Sequence, residues 1–434
     1  MTAERQNYWL TTAEMPCIEV RPLPEKVDVA ILGAGFTGLS AARTLAKLGA
    51  RVAVLEAETV GWGASSRNGG MVLTGLKLGA ADLISRYGKE TTRRMFSASL
   101  EAISTVEQIV ADEKIDCDFC RCGHLEVANK PSHFHAFERS AETMERELNH
   151  SVQIVRRESL FTEIGSKVYF GGLVDEVSAG ANPARYVAGL AKAAVRAGAD
   201  VHERSRVQKI ESTPNNGASG WKLSTTRDAF WARDVLVATS GYTGDSTPSL
   251  RRKLIPIGSY IIVTEVLPAR IAAEVSPRNR MIYNSLYYTH YYRLTPDRRM
   301  LFGGRAAFFP ENENTIRESQ AILRRDMVRI FPQLADTKID YVWGGTLDFA
   351  FDMMPHVGKM DGLYYSVGYA GHGVAMATLL GHKMAERIAS GSATPEANPF
   401  AEISFKGAPL GVYRRKPWFL PLAGLWFRFL DIVS

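Results

Sequence analysis

The 434-residue chain is long enough for two domains of average size, and its 46% hydrophobic and 23% charged residues are typical of a soluble globular protein. The 52 Lys and Arg residues only slightly outnumber the 46 Asp and Glu residues and are scattered, so the charge does not predict a nucleic-acid-binding protein. The polar first residues argue against a signal peptide, and no uncharged apolar run reaches the ~18 residues of a membrane span, so we expect a cytoplasmic protein.

A strand, a glycine-rich turn and a helix are predicted near the start of the chain. The apolar segment 27–32 leads into three glycines with the G-x-G-x-x-G spacing of dinucleotide-binding proteins: Gly33, Gly35 and Gly38. A helix rich in Ala and Leu follows to about Leu48, and a second strand, 52–55, ends at Glu56. The helix N-terminus would direct free N–H groups at a pyrophosphate, and the carboxylate would accept ribose hydroxyls and repel a 2′-phosphate. The pattern therefore favours FAD or NAD over NADP.

The segment 60–70, VGWGASSRNGG, is dense in Gly, Ser and Asn. Alone it predicts a flexible turn, but beside a dinucleotide fold its polar groups are candidates for binding phosphate and ribitol oxygens. Two adjacent glycines at its end would let the backbone lie flat against a ring. The candidate cofactor contacts in and around this segment and the glycine-rich turn are Phe36, Thr37, Ala57, Trp62, Gly63, Ser65, Ser66, Arg67, Asn68, Gly69 and Gly70.

A predicted helix, 81–111, precedes a short strand with the sequence HLEVA, and a charged helix with a connection, 136–160, follows it. Three of the four cysteines precede that strand, at Cys117, Cys120 and Cys122. Their spacing matches no standard zinc site, so we predict small buried thiols and no metal.

A second stretch, 178–211, resembles the strand–helix–strand layout of the first. Pro183 opens its helix, and strands near Val201 and Val207 return to the first domain. A hairpin and a long apolar strand follow. The small residues at the end of that strand would lie near the nucleotide: Thr239, Ser240 and Gly241.

From Ile255 onwards the strands are rich in aromatic residues, which predicts an antiparallel sheet, with a helix at 313–330. A last strand, 363–367, leads to Gly371-His372-Gly373 at the start of a helix, where the chain returns to the first domain. The tail from Tyr413 is basic and aromatic. Because Pro and Gly interrupt its amphipathic pattern, we expect it to pack on its own chain or on a partner subunit rather than on a membrane.

Six segments together resemble the D-amino-acid oxidase/glycine oxidase superfamily of FAD enzymes, nearest to its γ-glutamylputrescine oxidase-like branch. They are GAGFTGLSAA, GWGASSRNGG, ANPARYVAGLA, YYRLTPDRRMLFGGR, VWGGTLDFAFDMMPHVG and GYAGHGVAMATLLG. The resemblance implies an α/β (α+β overall) fold of the glutathione-reductase type. A Rossmann-like FAD-binding domain would carry a parallel sheet, and a substrate domain would cover the flavin with an antiparallel sheet.

The domain boundaries expected from this resemblance are 1–80, 151–250 and 351–395 for the FAD-binding domain, 81–150 for a substrate or cap region, 251–350 for the antiparallel substrate domain, and 396–434 for the tail.

FAD is the cofactor that the resemblance implies. The sarcosine oxidases attach their flavin through a cysteine late in the chain, and this chain has none after Cys122, so we expect non-covalent FAD, with attachment to a histidine left open. By the same resemblance the backbone of Val207 would contact the adenine. A turn would present N–H groups and a helix N-terminus to the pyrimidine edge of the flavin, through Gly371, His372, Gly373 and Val374.

The activity that the resemblance implies is oxidation of a C–N bond of an amine or amino-acid derivative, such as γ-glutamylputrescine, to an imine, with O₂ reduced to H₂O₂. The basic aromatic tail keeps a second hypothesis open, in which a dehydrogenase passes electrons to a quinone or an electron-transfer protein. The expected partners are a small-molecule amine and one of these acceptors, and no nucleic acid.

One departure from the superfamily concerns the predicted strand 346–355. The amino-acid oxidases hold the substrate carboxylate with an Arg in this strand, whereas this chain has Asp348 and Asp352 there. At strand period these two share a face and would suit a cationic amine. In the alternative interpretation they are solvent-facing strand residues.

The aromatic stretch 287–293 offers two faces of one strand. Tyr288, His290 and Tyr292 would lie on one face, and Tyr287, Tyr291 and Arg293 on the other. One face would pack as core and the other could line the substrate cavity, with Tyr288 as a candidate catalytic residue. His372 is either a source of positive charge for O₂ activation or an ordinary turn residue.

Overall fold

The structure, a computed structural model, describes residues 6–213, 220–307, 313–391 and 398–408, together with tail positions 413, 419, 422, 424, 426 and 429–431. The helices of this part are α1 (Tyr8–Thr11), α2 (Phe36–Lys47), α3 (Ala64–Arg67), α4 (Ala80–Tyr87), α5 (Lys89–Asp112), α6 (Pro131–Leu148), α7 (Pro183–Arg196), α8 (Pro248–Arg251), α9 (Ala269–Val275), α10 (Glu313–Ile330) and α11 (Gly373–Ser390). The strands are β1 (Lys26–Leu32), β2 (Val52–Leu55), β3 (Met71–Val72), β4 (His124–Val127), β5 (Gln153–Arg156), β6 (Gly171–Asp175), β7 (Ala179–Gly180), β8 (Asp200–His202), β9 (Val207–Ser212), β10 (Trp221–Thr225), β11 (Ala229–Val237), β12 (Leu254–Val266), β13 (Met281–Asn284), β14 (Tyr291–Leu294), β15 (Arg299–Ala307), β16 (Ile339–Ala350), β17 (His356–Met360) and β18 (Leu363–Val367).

The first large sheet has the strand order β17-β18-β11-β1-β2-β8, and β10 joins β9 to β11 beside this path. Strand β1 runs parallel to β2 and β11, and β2 runs parallel to β8. All four residues of β2 are buried, as expected for a strand that is covered on both faces of its sheet. Helices α7 and α11 both pack on α2. Because α2 follows β1 after a short turn, its N-terminus lies at the carboxyl end of β1.

The second large sheet has the order β16-β12-β15-β14-β13-β4-β6-β5. Its neighbouring strands are antiparallel, apart from the parallel pair β4 and β13. One face packs against α10, with Tyr292 and Phe302 in its core. On the opposite face Leu301 and Trp343 pack against Trp9, so this face of the sheet lies toward the first domain.

Most of the predicted elements are confirmed, including the βαβ unit and the helix at 313–330. The predicted helix 81–111 is two helices, because Gly88 with φ +78° separates α4 from α5. The boundary predicted at 151 is too early, since β5 and β6 pair with β4 in the second sheet. The chain returns to the first domain with α7, which packs on α2.

Described positions of the tail contact their own chain. The hydroxyl of Tyr413 donates a 3.0 Å hydrogen bond to the Leu254 carbonyl. Asp431 accepts hydrogen bonds from the backbone amides of Tyr287 at 2.8 Å and Tyr288 at 3.1 Å. These contacts agree with the expectation that the tail packs on the protein. Among the described residues, none of the helices combines the length and the apolar character that crossing a bilayer requires.

Candidate cofactor and substrate site

The glycine-rich turn brings backbone groups closer together than side chains would permit. A Cβ on Gly38 would lie 1.9 Å from the Gly33 carbonyl oxygen, and a Cβ on Gly35 would lie 2.7 Å from Ser65 Oγ. Helix α2 begins directly after Gly35, and the Phe36 amide donates to Ser65 Oγ at 3.0 Å. The turn therefore keeps bulky side chains away from the positive end of α2, which is the arrangement that binds a pyrophosphate.

Glu56 lies directly after β2, beside this turn. Its carboxylate accepts hydrogen bonds from the amides of Ala34 at 2.8 Å and Glu58 at 3.0 Å. Burial raises the pKa of Glu56, and the two amide donors oppose that shift. The carboxylate is thus fixed where the sequence predicts a ribose-binding acid.

The loop 60–70 is held in shape largely by its own polar groups. Arg67 donates from Nε to the Trp62 carbonyl at 2.7 Å and from Nη1 to the Gly344 carbonyl of β16 at 3.0 Å. Its guanidinium also lies 4.9 Å from the centre of the Trp62 ring. The Asn68 side chain accepts from the Gly70 amide at 2.7 Å. Arg67 and Asn68 therefore position the loop, and the bond from Arg67 to Gly344 attaches it to β16 of the second sheet.

The other predicted cofactor contacts lie around the same turn. Thr37 is buried and bonds through Oγ1 to the Tyr369 hydroxyl at 2.7 Å, which ties α2 to the turn before α11. Ser66 is fully buried, and its carbonyl accepts from the Asn7 side chain at 2.8 Å. Thr239 precedes a short 3₁₀ turn that holds Ser240 and Gly241. Phe36, Ala57, Gly63 and Val207 can offer only backbone polar groups, so their roles stay predictions.

The turn before α11 contains a buried polar atom without a partner. Ala370 and Gly371 have positive φ angles of +50° and +87°, and α11 begins at Gly373. In the part of the chain that the structure describes, the buried Nδ1 of His372 makes no hydrogen bond. A buried polar atom normally has a partner, so an unpaired one at a helix start fits a polar ligand at this point. Together with the glycine cradle, this atom fits FAD bound from the α2 turn to the α11 turn.

The surroundings of His372 disfavour the protonated imidazole. Burial, and next the nearby Lys77 and His124, lower its pKa to about 3. This shift does not favour the imidazole as a source of positive charge for O₂ activation, and the role of His372 stays a prediction.

The predicted pair of carboxylates does not form a cation site. Strand β16 ends at Ala350, so Asp352 lies in the turn beyond it, where its side chain accepts from the Met354 amide at 3.2 Å and bonds His356 Nε2 at 3.0 Å. Asp348 is buried and accepts from the Gly368 amide at 2.5 Å. The prediction that the two share one strand face is wrong, because β16 ends at Ala350 and Asp352 lies beyond it. Each carboxylate is hydrogen-bonded to another part of the chain.

The aromatic strand presents Tyr291 and Arg293 to the cofactor loop. A Cβ on Gly69 would lie 3.2 Å from the Tyr291 ring, and Arg293 Nη1 donates to the Gly70 carbonyl at 3.2 Å. Tyr292 points to the opposite face, where its ring stacks on Phe302 at 5.4 Å. The sequence did not decide which face of this strand lies toward the substrate. In the structure the face that carries Tyr291 lies toward the cofactor loop.

The candidate Tyr288 lies outside this strand. Strand β14 begins at Tyr291, and the Tyr288 amide bonds Asp431 of the tail. His290 packs on the core side, where its Nε2 lies 3.3 Å from the Asp326 carboxylate of α10. A direct role of Tyr288 in the reaction stays a prediction.

Three polar residues near the Tyr291 face and the cofactor loop were missed by the sequence reasoning. Glu126 of β4 pairs with Tyr283 of β13, and Tyr283 pairs with Tyr291 of β14, so the three form one row across the sheet. Lys77 follows the cofactor loop and is coupled electrostatically to Glu126 and to His372. A lone carboxylate within the apolar HLEVA strand was a usable signal for Glu126. For Lys77 and Tyr283 the sequence offers no comparable signal.

Comparisons with known proteins bear on the same regions. Residues 28–387 match the family DAO, described as FAD dependent oxidoreductase. The chain is 34% identical over 371 residues to a probable oxidoreductase OrdL of Haemophilus influenzae, covering 84% of this chain and 83% of the relative. It is 32% identical over 393 residues to the γ-glutamylputrescine oxidoreductase of Escherichia coli, covering 90% of each. The crystal structure of glycine oxidase from Geobacillus kaustophilus superposes with a TM-score of 0.74 at 19% identity, covering 88% of this chain and all of that chain.

Proposed function

The chain belongs to the DAO family of FAD-dependent oxidoreductases, whose members act on amines and amino acids, and from this premise we propose that it oxidises the terminal amine of a γ-glutamylputrescine-like substrate with O₂ as the acceptor. The reaction converts the amine and O₂ into an imine and H₂O₂, and water then hydrolyses the imine to an aldehyde and ammonia. FAD, when bound, supplies the two-electron chemistry that side chains lack.

The observation that carries this proposal is the Tyr291 face of the second sheet above the Gly69–Gly70 backbone. Tyr283 and Tyr291 are neighbours on this face, and both rings are half-buried. An aromatic wall of this kind packs well against an alkyl chain and excludes water from the reacting carbon.

The residues of β16 favour an amine over a simple α-amino acid. This strand borders the cofactor loop through the Arg67–Gly344 contact, and it contains no Arg or Lys. Oxidation of an α-amino acid would place a carboxylate next to the reacting carbon, and β16 offers no cation to hold it. A terminal amine on an alkyl chain makes no such demand.

A second candidate differs only in the electron acceptor. The described tail positions Trp426 and Phe429 are exposed aromatic residues, 58% and 51% accessible, in a basic segment. This surface favours a dehydrogenase that passes its electrons to a quinone or an electron-transfer protein.

The test is anaerobic loss of visible flavin absorbance with a panel of amines. We expect γ-glutamylputrescine to bleach the FAD-loaded protein faster than putrescine, sarcosine, glycine or common amino acids. Admission of air should then restore the colour and yield one H₂O₂ per flavin. Bleaching by NADH alone, or fastest bleaching by glycine, would contradict the amine assignment. Slow reoxidation in air with fast turnover on an artificial acceptor would select the dehydrogenase.

A further inference from the structure

Lys77 and Glu126 lie on opposite walls of the space between the two domains. Leu76 and Leu78 pack in the core of the first domain, and Lys77 between them has an exposed side chain. On β4, Leu125 and Val127 pack in the core beneath the second sheet, so Glu126 points to the other face, toward the first domain.

The side chain of Lys77 is accessible although it lies within the body of the protein. Its side chain is accessible to solvent, yet burial is the main cause that lowers its pKa. Glu126 is partly accessible, and burial raises its pKa to about 7. A group that lies in the interior and is still accessible is available to contact a bound ligand.

The two side chains can carry opposite charges, but they do not pair with each other. Each one shifts the pKa of the other toward the charged form, so they face the same space. Over the described ranges, neither makes a hydrogen bond or an ion pair within 4.0 Å. Charges held deep in a protein without partners are costly, which indicates that a ligand completes them.

The row of residues from Glu126 to Tyr291 gives the distance between Glu126 and the part of the site next to the cofactor loop. Glu126 lies two strands from Tyr291, whose ring borders Gly69 of the cofactor loop. Two strand spacings are roughly 10 Å. In γ-glutamylputrescine the carbon beside the terminal amine is separated from the α-carbon by eight bonds, which also span roughly 10 Å when extended.

We propose that Lys77 and Glu126 bind the α-amino-acid head group at the far end of the amine substrate. The Lys77 ammonium bonds the α-carboxylate, and the Glu126 carboxylate bonds the α-ammonium group. The two residues thereby select amines that end in a zwitterion over simple polyamines. This inference rests on the proposed function only for the identity of the reacting amine at the other end.

A ligand with the head group but without a reacting amine tests the binding directly. N-butyl-γ-glutamylamide is titrated calorimetrically into the FAD-loaded protein, its Lys77→Met and Glu126→Gln variants, and the control variants Lys192→Met and Glu142→Gln, which change exposed residues on α7 and α6. We expect each cavity variant to weaken binding about tenfold to a hundredfold, the range of a lost charged hydrogen bond, and the controls to leave it unchanged. Lys77→Arg should retain most of the affinity. Flavin content and melting temperature show that each variant is folded.

Amine analogues then separate the two roles. Lys77→Met should raise KM for γ-glutamylputrescine but not for its analogue without the α-carboxylate. Glu126→Gln should raise KM for γ-glutamylputrescine but not for its analogue without the α-amino group. If no amine bleaches the flavin, the proposed function fails, while calorimetry still decides the head-group site. Equal affinity of the butylamide for wild type and both cavity variants would overturn the inference. So would a Lys77→Met variant that binds normally and is slowed only in reoxidation by O₂.

Discussion

Asp348 accepts a 2.5 Å hydrogen bond from the backbone amide of Gly368, and its own carbonyl accepts one from the Ala370 amide at 3.0 Å. This pair of bonds joins β16 of the second sheet to the turn that precedes α11. Asp348 is buried, and burial raises the pKa of its carboxyl group, while the Gly368 amide and the Ser240 side chain oppose that shift. Because the turn carries His372, we infer that Asp348 shapes the flavin end of the site without contacting substrate.

Replacing Asp348 by Ala should therefore weaken FAD binding about tenfold or more, since it leaves the Gly368 amide buried without its acceptor. The measurement is the dissociation constant of FAD for the refolded apoprotein, by quenching of flavin fluorescence. Asp352→Ala is the matched control, because that carboxylate bonds His356 and not the turn. Equal losses of FAD affinity in both variants would show that Asp348 has no special role.

The βαβ unit could be read from the sequence because its determinants are local. The apolar run, the three glycines and Glu56 stand within one short segment, and each residue acts through the backbone beside it. The helix at 313–330 could be predicted equally well, since its periodicity depends on no distant partner.

The substrate face could not be read in the same way. Alternation along 287–293 defines two faces, but only the pairing of β14 with β13 and β15 decides that Tyr291 meets the cofactor loop. The roles of Asp348 and Asp352 depend on Gly368 and His356, which belong to other elements. Contacts between distant segments of this kind leave no local pattern.

Gly35→Ala should abolish FAD binding while the protein remains folded. The added Cβ would lie 2.7 Å from Ser65 Oγ, in the space between α2 and the cofactor loop, and would stand where the pyrophosphate approaches. The expected result is a colourless protein with a far-UV circular dichroism spectrum like that of the wild-type apoprotein. Gly79→Ala is the control, because nothing lies within 4 Å of its Cβ position. A normal flavin spectrum in the Gly35 variant would refute the placement of the pyrophosphate.

Asp175→Asn should lower the free energy of unfolding by about 2–3 kcal/mol. The buried carboxylate accepts from Thr74 Oγ1 at 2.6 Å and bonds His150 Nε2 at 2.8 Å, which ties β6 to the residues after α6 and β3. Burial alone would raise the pKa of Asp175, but these hydrogen bonds lower it to about 2.

Because that pKa lies below the value of about 4 in the unfolded chain, the stabilisation is complete above pH 4 and is lost as the pH falls through 2. Urea unfolding of the wild type and the variant, with FAD present, should therefore differ at pH 7 and converge toward pH 2. Asp116→Asn, whose side chain is 91% exposed, is the control and should unfold like the wild type. A difference between the wild type and the Asp175 variant that persists undiminished at low pH would contradict the assignment.

Binding of the head group should strengthen as the pH rises through 7. Burial raises the pKa of Glu126 to about 7, so the carboxylate that our proposal pairs with the α-ammonium is mostly protonated at pH 6 and mostly charged at pH 8. Because the apparent affinity scales with the charged fraction, the dissociation constant of N-butyl-γ-glutamylamide should fall about tenfold between these two pH values.

Lys77 and Tyr283 are the titratable groups that face Glu126, and His124 and His372, with pKa values of about 4 and 3, do not titrate in this window. Glu126→Gln should therefore bind with a nearly flat profile between pH 6 and pH 8, and the same tenfold change in that variant would contradict the assignment of this titration to Glu126.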